Sequence, residues 1–113
     1  MEGKKVETAN RITANIMRVV NMQPGCVAAR INTVGIWDPA KRVHRKGGST
    51  PGVEDIICVV RGKYIGIEVK AGKDRQNENQ KKRQFEVERA GGVYFIARST
   101  DDFLNFFKQL LTQ

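Results

Sequence analysis

Residues 55–70, DIICVVRGKYIGIEVK, read as a strand, a tight turn and a second strand, and no other segment restricts the fold as strongly. Runs rich in Ile, Val and Tyr flank Arg61-Gly62, a pair suited to a two-residue hairpin loop. With that loop Val60 pairs with Lys63, and stepping back brings Asp55 opposite Glu68. Directly opposed residues share a face, with Cβ atoms roughly 4.5–5.5 Å apart. Lys70 lies two residues beyond Glu68 and points to that face too. Two carboxylates so placed repel each other unless positive charge sits between them, and a divalent cation is the obvious candidate. A loop shifted to Gly62-Lys63 opposes Asp55 to Lys70 and still leaves the three groups on one face. A one-residue change in loop length separates Asp55 from the other two.

Both faces of the hairpin are apolar, with Ile56, Cys58, Ile65 and Ile67 on one side and Ile57 and Val59 on the other. A sheet apolar on both faces needs helices on both. The flanking sequence supplies them. Val6, Ala9, Ile12, Ile16, Val19 and Val20 recur at helical spacing, so residues ~5–21 read as an amphipathic helix ended by Pro24-Gly25. Cys26–Ile31 (CVAARI) reads as a short buried strand, and residues ~32–52 as an irregular Gly-, Ser- and Pro-rich segment. After the hairpin and a polar loop, Asn77 and Gln80 form a capping box that opens a helix running to about Ala90, where Gly91-Gly92 stops it. Val93–Ala97 (VYFIA) reads as a second buried strand. Ser99 and Asp102 make another capping box, and Phe103, Phe106, Phe107, Leu110 and Leu111 form the apolar face of a last helix. The order α-β-β-β-α-β-α predicts a three-layer α/β/α sandwich around a mixed sheet of about four strands, with all 113 residues in one domain.

Charge narrows the partners. A net charge of +8 and a pI near 9.9 favour an anionic partner, usually nucleic acid. Lys41, Arg42, Arg45 and Lys46 crowd the Gly-rich segment just before the hairpin, and Lys73 and Arg75 follow it, which predicts phosphate contacts at these six positions. His44 stands alone and is no ligand candidate, while Trp37 fits either a base-stacking platform or a core plug. Aromatics make up only 7%, few for a protein that reads single strands by stacking. Cys26 and Cys58 lack any metal-binding spacing and read as free thiols in a reducing cytoplasm. No apolar stretch has transmembrane length, and the polar N-terminus has no signal-peptide core, so neither membrane nor export is expected.

Asp55 followed by Glu68-Val69-Lys70 has the PD-(D/E)xK nuclease pattern, a weak signal by itself because such residues recur by chance. The surrounding residues strengthen it. Over nearly its full length the chain resembles the VRR-NUC (virus-type replication-repair nuclease) family. The points of resemblance are a glutamate on the first helix (Glu7, with Glu2 a possible substitute), a Gly-rich basic loop, and Gly52-Val53-Glu54-Asp55-Ile56-Ile57. They continue through Arg61-Gly62-Lys63-Tyr64, Ile67-Glu68-Val69-Lys70-Ala71-Gly72-Lys73, Gln80 and Ala90-Gly91-Gly92-Val93-Tyr94. One departure is Glu54, where the family often has proline; strand alternation predicts that Glu54 faces away from Asp55.

The resemblance implies a restriction-endonuclease-like fold and a Mg²⁺- or Mn²⁺-dependent endodeoxyribonuclease. Asp55, Glu68 and the Val69 carbonyl would hold the metal, and Lys70 would position or activate the attacking water. Glu7 would reach the metal through water, and Gln80 would position water or phosphate. It further implies branched, flapped or junction DNA as substrate, a homodimer, a viral or mobile-element origin (phage included), and a role in DNA repair in the host cytoplasm. The expectation from a different class is a catalytically inactive DNA-binding module or accessory subunit that keeps the nuclease fold.

Overall fold

A computed structural model of the chain describes residues 7–31, 36–45 and 50–113. The elements are α1 (Ala9–Met22), β1 (Cys26–Arg30), β2 (Ile36–Asp38), β3 (Val43–Arg45), β4 (Ile56–Val60), β5 (Lys63–Val69), α2 (Glu78–Arg89), β6 (Val93–Ala97) and α3 (Thr100–Leu111). β4 and β5 form the expected antiparallel hairpin, with Val60 opposite Lys63 and Ile56 opposite Ile67. Arg61 and Gly62 have φ of 50° and 87°, so both central turn residues are left-handed, as the type I′ turn requires. That turn fixes the register. β1 pairs antiparallel with β4, and β6 joins β5 in parallel after the α2 crossover, giving a mixed four-stranded sheet in the order β1-β4-β5-β6.

The two faces differ in chemistry. On one, Ile56, Cys58, Val60, Ile65, Ile67, Val69 and Ala97 pack with Ile12, Ile16 and Val20 of α1 and Phe103 and Phe107 of α3. A fully buried side chain of this kind contributes about 1.5–3 kcal/mol, so this cluster is the main source of stability. Phe95 stacks on Phe106 with ring centroids 4.0 Å apart and seals the α3 side. The other face carries Ile57, Tyr64 and Gly66, and α2 covers it with Arg83 and Val87. The layers are therefore α1 and α3, the sheet, and α2.

Several expectations change in detail. β1 and β6, read as buried strands, are the two edges of the sheet. Only Ala28 of β1 is buried, and Val27 is 56% exposed, because no further strand or helix covers that side among the described residues. Two short strands, β2 and β3, pair within the segment read as irregular. Each has only three residues, too few for a period to show in sequence. α1 begins at Ala9 because the Thr8 hydroxyl accepts the Arg11 N–H and caps the helix there. The Asn77–Gln80 capping box is complete. At α3, Ser99 accepts the Asp102 N–H, but the Asp102 carboxylate turns to the Arg98 N–H, so that box is half formed.

Gly52 fixes how the loop before β4 meets α2. Its φ is +76°, and a Cβ there would lie 2.4 Å from the Asn79 carbonyl group and 2.7 Å from the Gln80 nitrogen. Backbone on both sides leaves nothing flexible to yield. Gly52→Ala is expected to cost about 1–3 kcal/mol in urea denaturation. The thermal midpoint should fall by roughly 4–8 °C for each kcal/mol lost. An unchanged midpoint would show that this contact does not hold α2 in place.

Candidate active site

Asp55 lies one step beyond the Ile56–Ile67 pair, so the register continues to place it opposite Glu68. Its Oδ2 accepts the Val69 N–H at 2.7 Å. The N–H and C=O of one strand residue point to the same side, so the Val69 carbonyl is directed toward Asp55 as well. The Lys70 N–H points the other way and donates to the Ala97 carbonyl at 2.9 Å. Thus the end of β5 delivers Glu68 and the Val69 carbonyl, with Lys70 just after it, to the end of the sheet where Asp55 precedes β4.

Glu68 is 1% exposed, and neither of its carboxylate oxygens has a hydrogen-bond partner among the described residues. The Lys70 ammonium stands 4.0 Å from Oε1. Burial pushes the Glu68 pKa up; Lys70 opposes this, the Asp55 charge adds to it, and Tyr94 and Gln76 are near enough to favour the charged form slightly. A buried carboxylate without donors is costly, and a cation is the direct remedy. Asp55, Glu68 and the Val69 carbonyl are hard oxygen donors of the type that suits Mg²⁺ or Mn²⁺, so the residues present fit such an ion. Among the described residues no three His, Cys, Asp or Glu side chains converge, so the carboxylates available here are these two.

Glu7 and Gln80 have other partners. The Glu7 carboxylate accepts the Thr100 N–H at 2.8 Å and the Thr100 hydroxyl at 2.5 Å, which caps α3 and holds the Glu7 pKa below its usual value. Asn15 also donates to the Thr100 hydroxyl, tying α1 to α3. Gln80 accepts the Asn77 N–H through its amide oxygen. Lys41 and Arg42 are exposed at the turn between β2 and β3, and Lys73 and Arg75 are exposed on the loop after β5. Arg45 ends β3, and Lys46, like Glu2, lies outside the described residues.

Three features escaped sequence reasoning. Glu54, expected to face away from Asp55, sits on the α2 side of the sheet with Gly66 and Glu68, not on the α1 and α3 side that alternation assigns it. It precedes the regular part of β4, where alternation does not yet apply, and its carboxylate folds over Gly66, whose added Cβ would sit 2.6 Å from the Glu54 Cγ. There the fully buried carboxylate accepts from Arg83 Nε at 2.6 Å, from Arg83 Nη2 at 3.4 Å and from the Tyr64 hydroxyl. Burial works against its charge, but these donors outweigh it and hold its pKa below the usual range. Gln76 and Tyr94 are the other two, both close to Glu68. Tyr94 had a signal in the alternation of VYFIA, but it becomes readable only with the parallel register of β6.

A solved structure of a VRR_NUC domain protein superposes with a TM-score of 0.65 at 18% identity, covering 93% of this chain and 88% of the other. The chain has the VRR-NUC fold, in agreement with the resemblance drawn from Asp55, Glu68 and Lys70. Its sequence matches no protein-family model and no curated protein.

The state of Glu68 has a measurable consequence without metal. Its folded pKa lies above the ordinary 4.5, so its contribution to stability is complete below about that pH and is lost as pH rises through the folded value. Glu68→Gln removes the loss. In EDTA the stability of the variant relative to the wild type should rise from pH 4 to pH 8 in urea denaturation. A difference that stays flat with pH would mean that the native fold compensates this carboxylate.

Proposed function

We propose that this chain is a Mg²⁺- or Mn²⁺-dependent endonuclease that hydrolyses DNA phosphodiester bonds, selecting branched, flapped or junction structures. The observation that carries this reading is Glu68, a buried carboxylate with two unpartnered oxygens beside Asp55 and Lys70. In a merely structural site a neutral or donor-paired side chain would be more stable. A divalent cation held there would supply Lewis acidity, making water more acidic and offsetting charge on the phosphoryl oxygens. Asp55, oriented by the Val69 N–H, and Glu68 would hold it together with the Val69 carbonyl. Lys70, its side chain 14% exposed, keeps an ammonium at the mouth of the site to orient the attacking water or to stabilise the phosphoryl oxygens. Glu7, whose described contacts cap α3, would reach the metal through water, and Gln80, whose described contact caps α2, would position water or phosphate.

The positive surface supplies the substrate grip. Lys41, Arg42 and Arg45 lie on the β2–β3 excursion, which leaves β1 and returns to β4 at the end of the sheet that carries Asp55, and Lys46 follows them in sequence. Phosphate contacts carry no sequence information, so discrimination would come from the shape of the DNA. All three described helices lie against the sheet, none projecting as a major-groove reader does. A homodimer would present two such sites about a two-fold axis and suit a symmetric junction, whereas a monomer suits a flap.

Labelled linear, flap and four-way-junction DNAs should be cut in Mg²⁺ or Mn²⁺ and left intact in EDTA. Asp55→Asn and Glu68→Gln should abolish cutting with the fold retained, and Lys70→Ala should stop turnover while metal affinity stays largely intact. Full cleavage by the two carboxylate variants would sink the site. Tight binding without cutting in either metal would make the chain a binding module. Light scattering alongside the cleavage assay relates the preferred substrate to the oligomeric state, and equal sequence-dependent cutting of plain duplex would contradict shape selection.

The grip is tested separately. Neutralising Lys41, Arg42, Arg45 and Lys46 should weaken DNA binding and flatten the salt dependence of log K by about 0.9 per lost phosphate contact. An unchanged slope would place these side chains in solvent.

A further inference from the structure

Three buried polar side-chain atoms have no hydrogen-bond partner among the described residues: the two carboxylate oxygens of Glu68 and the Tyr94 hydroxyl. The sheet explains why they meet. β5 and β6 run parallel with Gly66 next to Tyr94 and Glu68 next to Ile96, so Tyr94 stands on Glu68's face one diagonal step away. At 6% exposure Tyr94 points its hydroxyl into the protein. Gln76 enters from the loop before α2, its Nε2 fixed to Gln84 Oε1 at 2.8 Å. An amide nitrogen carries two hydrogens, so one remains for another acceptor. Both side chains lie close to Glu68.

An ionised carboxylate offers about four lone-pair sites, and a coordinated cation uses only one or two of them. Buried, the rest need donors. Lys70 at 4.0 Å is beyond hydrogen-bond distance from Oε1. We propose that Tyr94 and Gln76 are positioning residues for Glu68: their O–H and N–H bind the lone pairs turned away from the cation and so determine which ones coordinate it. The inference rests on the Asp55–Glu68 reading above. Contacts of this kind are often long in the unliganded protein and tighten when the site is filled.

Tyr94→Phe keeps the ring and its packing, and Gln76→Met keeps the chain length on a loop outside the core. Mn²⁺ affinity by calorimetric titration and the thermal midpoint in EDTA are measured for the wild type, both variants and Glu68→Gln. Each positioning variant should bind Mn²⁺ at least about 10-fold more weakly than the wild type, with its midpoint in EDTA little changed. A lowered midpoint with unchanged Mn²⁺ affinity would reduce Tyr94 and Gln76 to packing and overturn the proposal. Should Tyr94→Phe fail to fold, Gln76→Met decides alone. If the wild type binds Mn²⁺ and Glu68→Gln does not, but both positioning variants bind normally, only this inference fails. If the wild type binds no Mn²⁺, the metal-site reading falls with it.

Discussion

The register between β4 and β5 governs both the stability of this fold and its chemistry. Two left-handed residues, Arg61 and Gly62, set it, and a slip of one residue would reverse every side chain of one strand relative to the other. Ile56 and Ile67, both fully buried against α1 and α3, would then no longer share a face. The same slip would part Asp55 from Glu68. The apolar core resists such a slip, since each misplaced isoleucine forfeits a large share of its roughly 1.5–3 kcal/mol of burial. The repelling carboxylates are thus held together by hydrophobic packing on the opposite side of the sheet.

The α2 face holds two buried carboxylates with opposite electrostatic fates. Glu54 is surrounded by Arg83 and Tyr64, and its donors outweigh desolvation. Glu68, two residues along β5 from the glycine that Glu54 covers, has no bonded donor, and desolvation prevails. The difference follows from which elements reach each group. α2 brings Arg83 onto Glu54, whereas Glu68 faces the loop after β5, where Gln76 and Lys70 approach without bonding. Separating the environments of two acidic groups is how one protein assigns them different work. Here one carboxylate secures the approach to β4 and the other keeps two oxygens without donors among the described residues.

Capping ties the remaining helices to the same end of the sheet. Glu7 holds the first residue of α3, Asn15 of α1 reinforces it, and Asn77 with Gln80 opens α2 against the Gly52 turn. Each interaction satisfies N–H groups that a helix start leaves open.

How much of this was legible depends on the range of the interaction. Period-two and helical patterns, the Arg61-Gly62 turn and the Asn77–Gln80 box are local, and from them the mixed sheet, its helices and the facing of Asp55 and Glu68 could be read. The edge positions of β1 and β6 could not, because strand order depends on contacts between distant segments. Glu7 as a cap for Thr100 joins residues 93 apart in the chain, and no local pattern announces it. Glu54 misled for the opposite reason: alternation is a local rule, and it lapses where the chain turns into β4. The sequence alone determined the hairpin, its turn and the helix starts; only the tertiary structure decided which strands lie at the edges and which buried carboxylate receives donors, because those donors come from α2, β6 and a loop brought together by folding.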